Sequence, residues 1–206
     1  MDRSWRLLSV CAAAILLAAT ATSQVIEFES AGLKYQALTK DGLTIMVAPL
    51  NASVRDYTVV QVAVSNGGRN TLTLKPEDFT YLPDAGIEIP ALPARTVVYS
   101  LIERASRSDV VKLVDVYEAG LYGNMQPRST NGFDYRRQNA LTDFTSTRLK
   151  AAATASAVAF VQTRLAPGQS TDGAVFYALR RKPFASGVLR VRAGGSVFEF
   201  PVVSSN

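Results

Sequence analysis

The spacing of apolar residues changes twice along this chain, and that change limits the fold more than any other feature. In "VVQVAVSN", Val60, Val62 and Val64 alternate with polar or small residues, which is the period of a strand with one buried face. Between roughly residues 106 and 123 the apolar residues recur at helical spacing instead, and in the C-terminal third the period of two returns. The chain therefore predicts a mainly β fold that is interrupted by helices.

Turn sequences between the alternating runs predict hairpins. "TKDG" separates "LKYQAL" from "LTIMVAPL", and Gly194-Gly195 separates "GVLRVRA" from "SVFEFPV". Asn66-Gly67 also lies between two alternating runs, so we predict a third hairpin over residues 59–74. The alternative, a phosphate-binding glycine loop, requires a helix on the far side of the glycines, where this chain has a strand pattern.

Two segments in the middle of the chain have helical patterns. In "SRSDVVKLVDVYEAGLYG" the apolar residues recur at helical spacing, and Ser106 with Asp109 forms a start that resembles a capping box. "STRLKAAATASAVAFVQ" is rich in alanine and lacks glycine and proline, which predicts a helix from about Ser146 to Phe160. We therefore predict a two-helix insertion at about 103–162.

The first 23 residues predict a signal peptide that is not part of the fold. Arg3 and Arg6 make the start basic, and "LLSVCAAAILLAA" is an apolar run of about thirteen residues, which is short for a bilayer span. Small residues precede Gln24, and a cut before Thr22 is the alternative. We therefore expect a secreted or periplasmic protein whose mature chain has no transmembrane span and forms a single domain at 24–206. An uncleaved N-terminal anchor is the rival interpretation.

Missing residue types exclude several kinds of chemistry. The chain contains no histidine, and its one cysteine, Cys11, lies inside the predicted signal peptide. A Ser-His-Asp triad and a histidine metal site are therefore excluded, as are a disulfide or a thiol nucleophile in the mature chain. We expect no metal and no cofactor. The formal net charge of +5 is mildly basic, which permits attraction to an anionic polymer without requiring it.

Pairs of carboxylates are the remaining candidates for catalysis or calcium binding. Asp115 and Glu118 are three residues apart on a predicted helix, and Glu77 is adjacent to Asp78. Two carboxylates can serve a glycosidase, or bind Ca²⁺ together with carbonyl oxygens. The first pair, however, lies opposite the apolar face of its helix, and the second pair follows Pro76 at a turn. We interpret both pairs as surface residues and keep, as the alternative function, a carboxylate-dependent hydrolase that acts on an envelope polymer.

Arginine and aromatic residues cluster at the end of the first predicted helix and in the irregular stretch that follows it. Arginine together with aromatic rings suits a protein interface, sugar stacking or an anionic polymer. Nucleic acid would use the same chemistry, but an exported protein seldom meets it. The alternative is that the rings only attach a long loop to the sheets. The candidate binding residues are Tyr122, Arg128, Phe133, Tyr135, Arg136 and Arg137.

Two stretches, "VVQVAVSNGGRNTLTLKPEDFTYL" and "LAPGQSTDGAVFYAL", resemble the immunoglobulin-like domains of bacterial envelope proteins. In those domains a strand carries V-x-V-x-N before a turn, and a P-G-x-S-x-x-G turn precedes a strand that returns to the core. The resemblance implies an immunoglobulin-like antiparallel β-sandwich in an extracytoplasmic setting, and it carries over no catalytic residue. We therefore expect a non-catalytic binding or interaction module of the cell envelope. Its partner would be a protein or an anionic envelope polymer, and not a nucleic acid.

Export is directly testable. When the full chain is expressed in a bacterium, we expect a shortened form outside the cytoplasm, because a signal peptide is removed during export. N-terminal sequencing should find Gln24 or Thr22 at the new N-terminus. A membrane-bound product that still begins with Met1 would contradict the signal-peptide interpretation and support the anchor.

Overall fold

The computed structural model describes residues 24–30, 32–122, 146–180 and 183–203. Within these ranges the fold is mainly β, with eleven strands and three α-helices. The strands are β1 (Ile26–Ser30), β2 (Leu33–Lys40), β3 (Leu43–Val54), β4 (Tyr57–Asn66), β5 (Leu72–Leu74), β6 (Phe79–Pro83), β7 (Ile89–Pro90), β8 (Thr163–Leu165), β9 (Ser170–Tyr177), β10 (Gly187–Ala193) and β11 (Ser196–Val202). The helices are α1 (Ala94–Arg104), α2 (Arg107–Tyr122) and α3 (Thr147–Val158).

The strands form two main antiparallel sheets. Strands β1-β2-β3-β4-β9, in that spatial order, form the large sheet, and β11-β10-β6-β7 form the small sheet. Strands β5 and β8 pair with each other as a separate two-stranded ribbon. The antiparallel sheets that the period of two predicts are therefore confirmed.

The two sheets pack face to face around one hydrophobic core. Val62 and Val64 of β4 lie in the same buried cluster as Phe198 and Phe200 of β11. Because side chains alternate along a strand, Glu199 points away from this core and is exposed. Apolar burial, at about 25 cal/mol per Å², is the main favourable contribution to such a core.

The helices cover the opposite face of the large sheet. Val59 of β4 and Phe176 of β9 lie in a second buried cluster, to which the helices contribute Val97, Leu113 and Ala155. Helix α3 contacts both α1 and α2, and its many alanines allow the close approach of its neighbours. Strand β4 is therefore buried on both faces. Among the helices that the structure describes, none is long and apolar enough to cross a bilayer.

Two predicted hairpins are confirmed. The "TKDG" turn joins β2 to β3, with Asp41 at a φ of 51° and Gly42 at a φ of 77°. Gly194 and Gly195, at φ of 59° and 82°, close the hairpin of β10 and β11. Tight hairpin turns require this left-handed region, which glycine enters without steric cost.

Helix α2 begins with the predicted capping box. The backbone N–H of Ser106 donates to Oδ2 of Asp109 at 2.7 Å, and the N–H of Asp109 donates to Oγ of Ser106 at 3.4 Å. These bonds satisfy donors that have no partner within the first turn of the helix. Helices α2 and α3 lie where the sequence predicts its two helices.

The predicted hairpin over residues 59–74 is wrong. Strand β4 pairs with β3 and β9, whereas β5 pairs with β8, so the Asn66-Gly67 loop carries the chain away from the large sheet. Gly67 does not adopt the left-handed conformation of a tight hairpin. Its N–H instead donates to the carbonyl of Gly42 at 2.8 Å, and a Cβ on Gly67 would lie 2.9 Å from that oxygen. Glycine is required here because two turns touch.

Helix α1 lies almost entirely before the predicted helical insertion at about 103–162, and the sequence patterns do not predict it. The helix begins directly after Pro93, whose ring fixes φ near the helical value, here −55°. Val97 and Leu101, four residues apart, give it a buried stripe. The described part of the chain thus contains three α-helices, so neither an insertion of two helices nor an immunoglobulin-like topology is confirmed.

Gly173 of β9 should not tolerate a side chain. The N–H of Phe160 donates to the carbonyl of Ala174 at 2.8 Å, and a Cβ on Gly173 would lie 2.8 Å from the backbone N and Cα of Phe160. Gly173→Ala therefore forces two bonded segments apart, and we expect the free energy of unfolding to fall by about 1–3 kcal/mol in urea denaturation. Gln162→Ala, at an exposed position nearby, should change it by less than about 0.5 kcal/mol. Equal stability of the two variants would contradict the close approach.

Candidate functional site

An open cleft lies at one margin of the two sheets. The large sheet has five strands and the small sheet has four, and β2 packs beside β11, so β1 extends beyond the small sheet. The cleft has a volume of about 660 Å³ and is lined by the β1–β2 hairpin, by residues 49–50 and by residues 183–184 and 201–203. We name it the edge cleft.

One wall of the edge cleft is polar. In the β1–β2 register Glu27 is opposite Gln36, and Glu29 is opposite Lys34. Alternation places these four side chains on the same face as Leu38, which is buried in the core between the sheets. Nε2 of Gln36 donates to Oε1 of Glu27 at 2.9 Å. Two glutamates against one lysine leave this wall with an excess of negative charge.

The facing wall is apolar. Pro201 and Val203 are exposed, and Val203 keeps 82% of its surface accessible. Phe184, which also lines the cleft, is buried, and its ring packs edge-on against Tyr81 at 4.7 Å and Tyr177 at 5.5 Å between centroids. Such aromatic contacts hold the wall in one arrangement before a ligand binds.

The two tyrosines that hold Phe184 stay neutral at physiological pH. Burial raises the pKa of Tyr81, whose hydroxyl donates to the carbonyl of Ala185 at 2.9 Å. Burial also raises the pKa of Tyr177 far above its usual range. The apolar wall therefore offers ring contacts and no titrating base.

Three of the four margins of the main sheets are short or protected. The backbone N–H groups of Leu92 and Phe160 donate to carbonyls of β9, each at 2.8 Å. At β11, Nζ of Lys40 donates to the carbonyl of Val197 at 2.5 Å, and Pro201 has no N–H. Strand β7 is only two residues long. None of these three described margins offers a long run of free backbone groups.

Strand β1 is the fourth margin, and it differs from the others. All five of its residues pair with β2, and no described residue makes a backbone hydrogen bond to its other side. It contains no proline, and Ile26 is 64% exposed. An edge of this kind is a template for the addition of another strand. The edge cleft thus combines a polar wall, an apolar wall and free backbone groups.

The structure does not place the arginine and aromatic residues that the sequence predicts as a binding surface. Tyr122 is the last residue of α2, and its side chain lies outside the described part of the chain. Arg128, Phe133, Tyr135, Arg136 and Arg137 lie outside the described residues altogether. That surface stays a prediction.

The edge cleft could not be predicted from the sequence. The strand prediction begins at "LKYQAL" and omits β1, although "IEFES" carries a short signal because Ile26 and Phe28 alternate with Glu27 and Glu29. The apolar wall comes from the other end of the chain. Periodicity identifies strands but not their distant neighbours, so the two walls could not be joined from the sequence.

The structure describes part of the carboxylates that the sequence suggests for catalysis. Asp115 is exposed, and the side chain of Glu118 is not described. Oδ2 of Asp78 accepts a backbone N–H at 2.9 Å and so caps a turn. Glu27 and Glu29 line the edge cleft from one strand, and the described residues of the facing wall include no acid. A glycosidase needs carboxyl groups on both sides of the scissile bond, and among the described residues the edge cleft has them on one wall only.

A smaller polar pocket of about 310 Å³ lies where α2 meets the end of β3. Nζ of Lys112 donates to the carbonyl of Ser53 at 2.7 Å, and Nη1 of Arg55 donates to the carbonyl of Arg104 at 2.5 Å. Asp109 already caps the helix at this point. These bonds tie the helices to the large sheet, and we interpret the pocket as a structural joint.

Charged residues on the outer face of the small sheet pair with one another. Glu88 accepts hydrogen bonds from Oγ1 of Thr80 at 2.6 Å and from Arg192 at 2.9 Å, and Arg190 contacts Glu199 at 2.8 Å. The hydrogen bond from Thr80, followed by that from Arg192, lowers the pKa of Glu88. This paired network is a solvated sheet face. In the described ranges no three acidic, cysteine or histidine side chains lie close enough together to hold a metal ion.

The edge cleft is therefore the best candidate binding site that the described residues form. Its features are the two walls of different chemistry and the open side of β1. Comparisons with models of protein families, with curated proteins and with solved structures found no match to this chain.

Proposed function

We propose that this chain is an exported, non-catalytic binding module of the cell envelope, and that its edge cleft binds a segment of another protein. The observation that carries the proposal is the open edge of β1 beside a preformed cleft of about 660 Å³. Binding sites are commonly concave, largely preformed and lined by apolar groups with a few polar ones. A protein segment can use all three features of the cleft at once, because it has both side chains and backbone groups.

The charge of the cleft favours a protein over an anionic polymer at this site. Glu27 and Glu29 are both exposed on the polar wall, where Lys34 is the one described cation. A polyanion would be repelled by this wall, whereas a polypeptide with basic side chains would be attracted. An anionic envelope polymer remains our proposal only for the predicted arginine and aromatic surface that begins at Tyr122.

The proposed export places the cleft at the new end of the chain. Removal of residues 1–23 would leave Gln24 and Val25 ahead of β1, so the edge strand would begin almost at the mature N-terminus. The basic start, the short apolar run and the small residues before Gln24 support this proposal. We also propose that residues 24–206 form one immunoglobulin-like domain, which the two antiparallel sheets around a shared core support.

The proposal is tested by capture of a partner from the native envelope. The immobilised mature protein should retain a defined partner, and Val203→Asp should reduce its retention at least tenfold, because a charge on the apolar wall must be desolvated in the complex. Ile87→Asp is the matched control: Ile87 is 84% exposed and Val203 is 82% exposed, but Ile87 does not line the edge cleft. Circular dichroism should show that both variants fold.

Two results would contradict the proposal. Equal retention by Val203→Asp and Ile87→Asp would show that the edge cleft is not the binding site. Hydrolysis of an envelope polymer by the wild-type protein, abolished by Glu27→Gln or Glu29→Gln, would establish the rival carboxylate hydrolase instead.

A further inference from the structure

We propose that the partner binds the edge cleft as an added β-strand beside β1, and that this strand carries basic residues at alternate positions. The inference rests on the proposed binding function and specifies the chemistry of the partner. The backbone of β1 is available to a partner on one side. Residues Ile26–Ser30 pair with β2 on one side, and the described residues leave the other side of β1 open. An extended peptide that binds there gains main-chain hydrogen bonds whatever its sequence.

The side chains of β1 would neighbour those of the added strand on both faces of the sheet. Glu27 and Glu29 share the face of β1 that is turned toward the cleft, while Ile26 and Phe28 share the opposite face. Residues directly opposite in paired strands lie on the same face, and opposite charges at such positions are stabilising. The added strand is therefore expected to have lysine or arginine beside the two glutamates.

The other face of the added strand would lie beside apolar side chains of β1. Phe28 stacks on Tyr35, with ring centroids 5.3 Å apart and planes 12° from parallel, and Ile26 is 64% exposed. An apolar side chain on the added strand would extend this surface and remove part of Ile26 from water. Basic and apolar residues would thus alternate along the partner segment.

A second copy of this chain is a poor occupant of the same edge. In a two-fold symmetric antiparallel pairing, opposite residues lie on the same face, so residues of equal parity pair with each other. Every such register that overlaps three or more residues of Ile26–Ser30 places Glu27 or Glu29 opposite a glutamate of the second copy. Like charges directly opposite each other destabilise a sheet. The pattern that disfavours self-pairing is the same one that selects a basic strand.

The test uses the mature protein and two end-blocked heptapeptides, TKVKVKT and TEVEVET. Isothermal titration at low salt should show binding of the lysine peptide at least tenfold tighter than that of the glutamate peptide, and added salt should weaken it because exposed charges are screened. Glu27→Lys combined with Glu29→Lys should reverse the preference. Glu103→Lys combined with Asp115→Lys changes the net charge equally at two exposed helix positions outside the cleft, and it should keep the wild-type preference.

Backbone pairing is tested separately from charge. The N–H groups of a strand point alternately to its two sides, so only one set can bond to β1. Two variants of the lysine peptide carry backbone N-methyl groups, one at the lysines and the other at the valines. One variant should therefore bind with the affinity of the unmethylated peptide, and the other should bind at least tenfold more weakly. Equal affinity of both methylated peptides for the mature protein would overturn strand addition.

The outcomes distinguish this inference from the proposed function. If the lysine and glutamate peptides bind equally, or if the control pair of substitutions has the same effect as the cleft pair, the basic-strand inference fails. Partner capture that is lost in Val203→Asp but unchanged in Glu27→Lys with Glu29→Lys would keep the binding function and reject the basic strand. Capture that is insensitive to Val203→Asp, with no peptide binding, would reject both.

Discussion

The burial of β4 on both of its faces is the constraint on which the rest of the structure depends. Val60 and Val62 face the small sheet and Val59 faces the helices, so β4 must lie where both layers cover it. A strand buried on both sides contributes apolar burial twice, at about 25 cal/mol per Å² on each face. Strand β9, beside β4, is buried in the same way, whereas β1 lies at the margin farthest from β4 and is half-buried or exposed along its length.

This arrangement explains why the edge cleft forms at β1. Chain segments bond to the outer side of β9, and Lys40 and Pro201 protect β11, but the fourth margin extends past the small sheet. Charges on an edge strand normally limit aggregation. In β1 the two glutamates oppose self-association on one face only. Their spacing also determines which kind of strand can pair with β1. Protection against self-association and recognition of a partner then have the same physical origin.

Short-range features of the fold could be predicted from the sequence, and long-range features could not. The turn at Asp41-Gly42 and the capping box at Ser106 depend on neighbouring residues, and both were predicted correctly. The local pattern predicts a hairpin turn at Gly67, whereas in the structure its N–H bonds to Gly42, a contact that no local pattern reveals. The edge cleft was missed for the same reason, because its two walls come from opposite ends of the chain.

Amide hydrogen exchange on the free mature protein tests the central claim, that β1 is an open edge, most directly. Amides of β4 lie in a central strand and should exchange only when the protein unfolds, whereas the outward N–H groups of β1 should exchange orders of magnitude faster through solvent contact or local opening. NMR detection resolves the alternate residues of Ile26–Ser30, so the inward-facing amides serve as an internal control. Uniform protection of β1, at the level of β4, would show that the edge is already covered and would contradict this account.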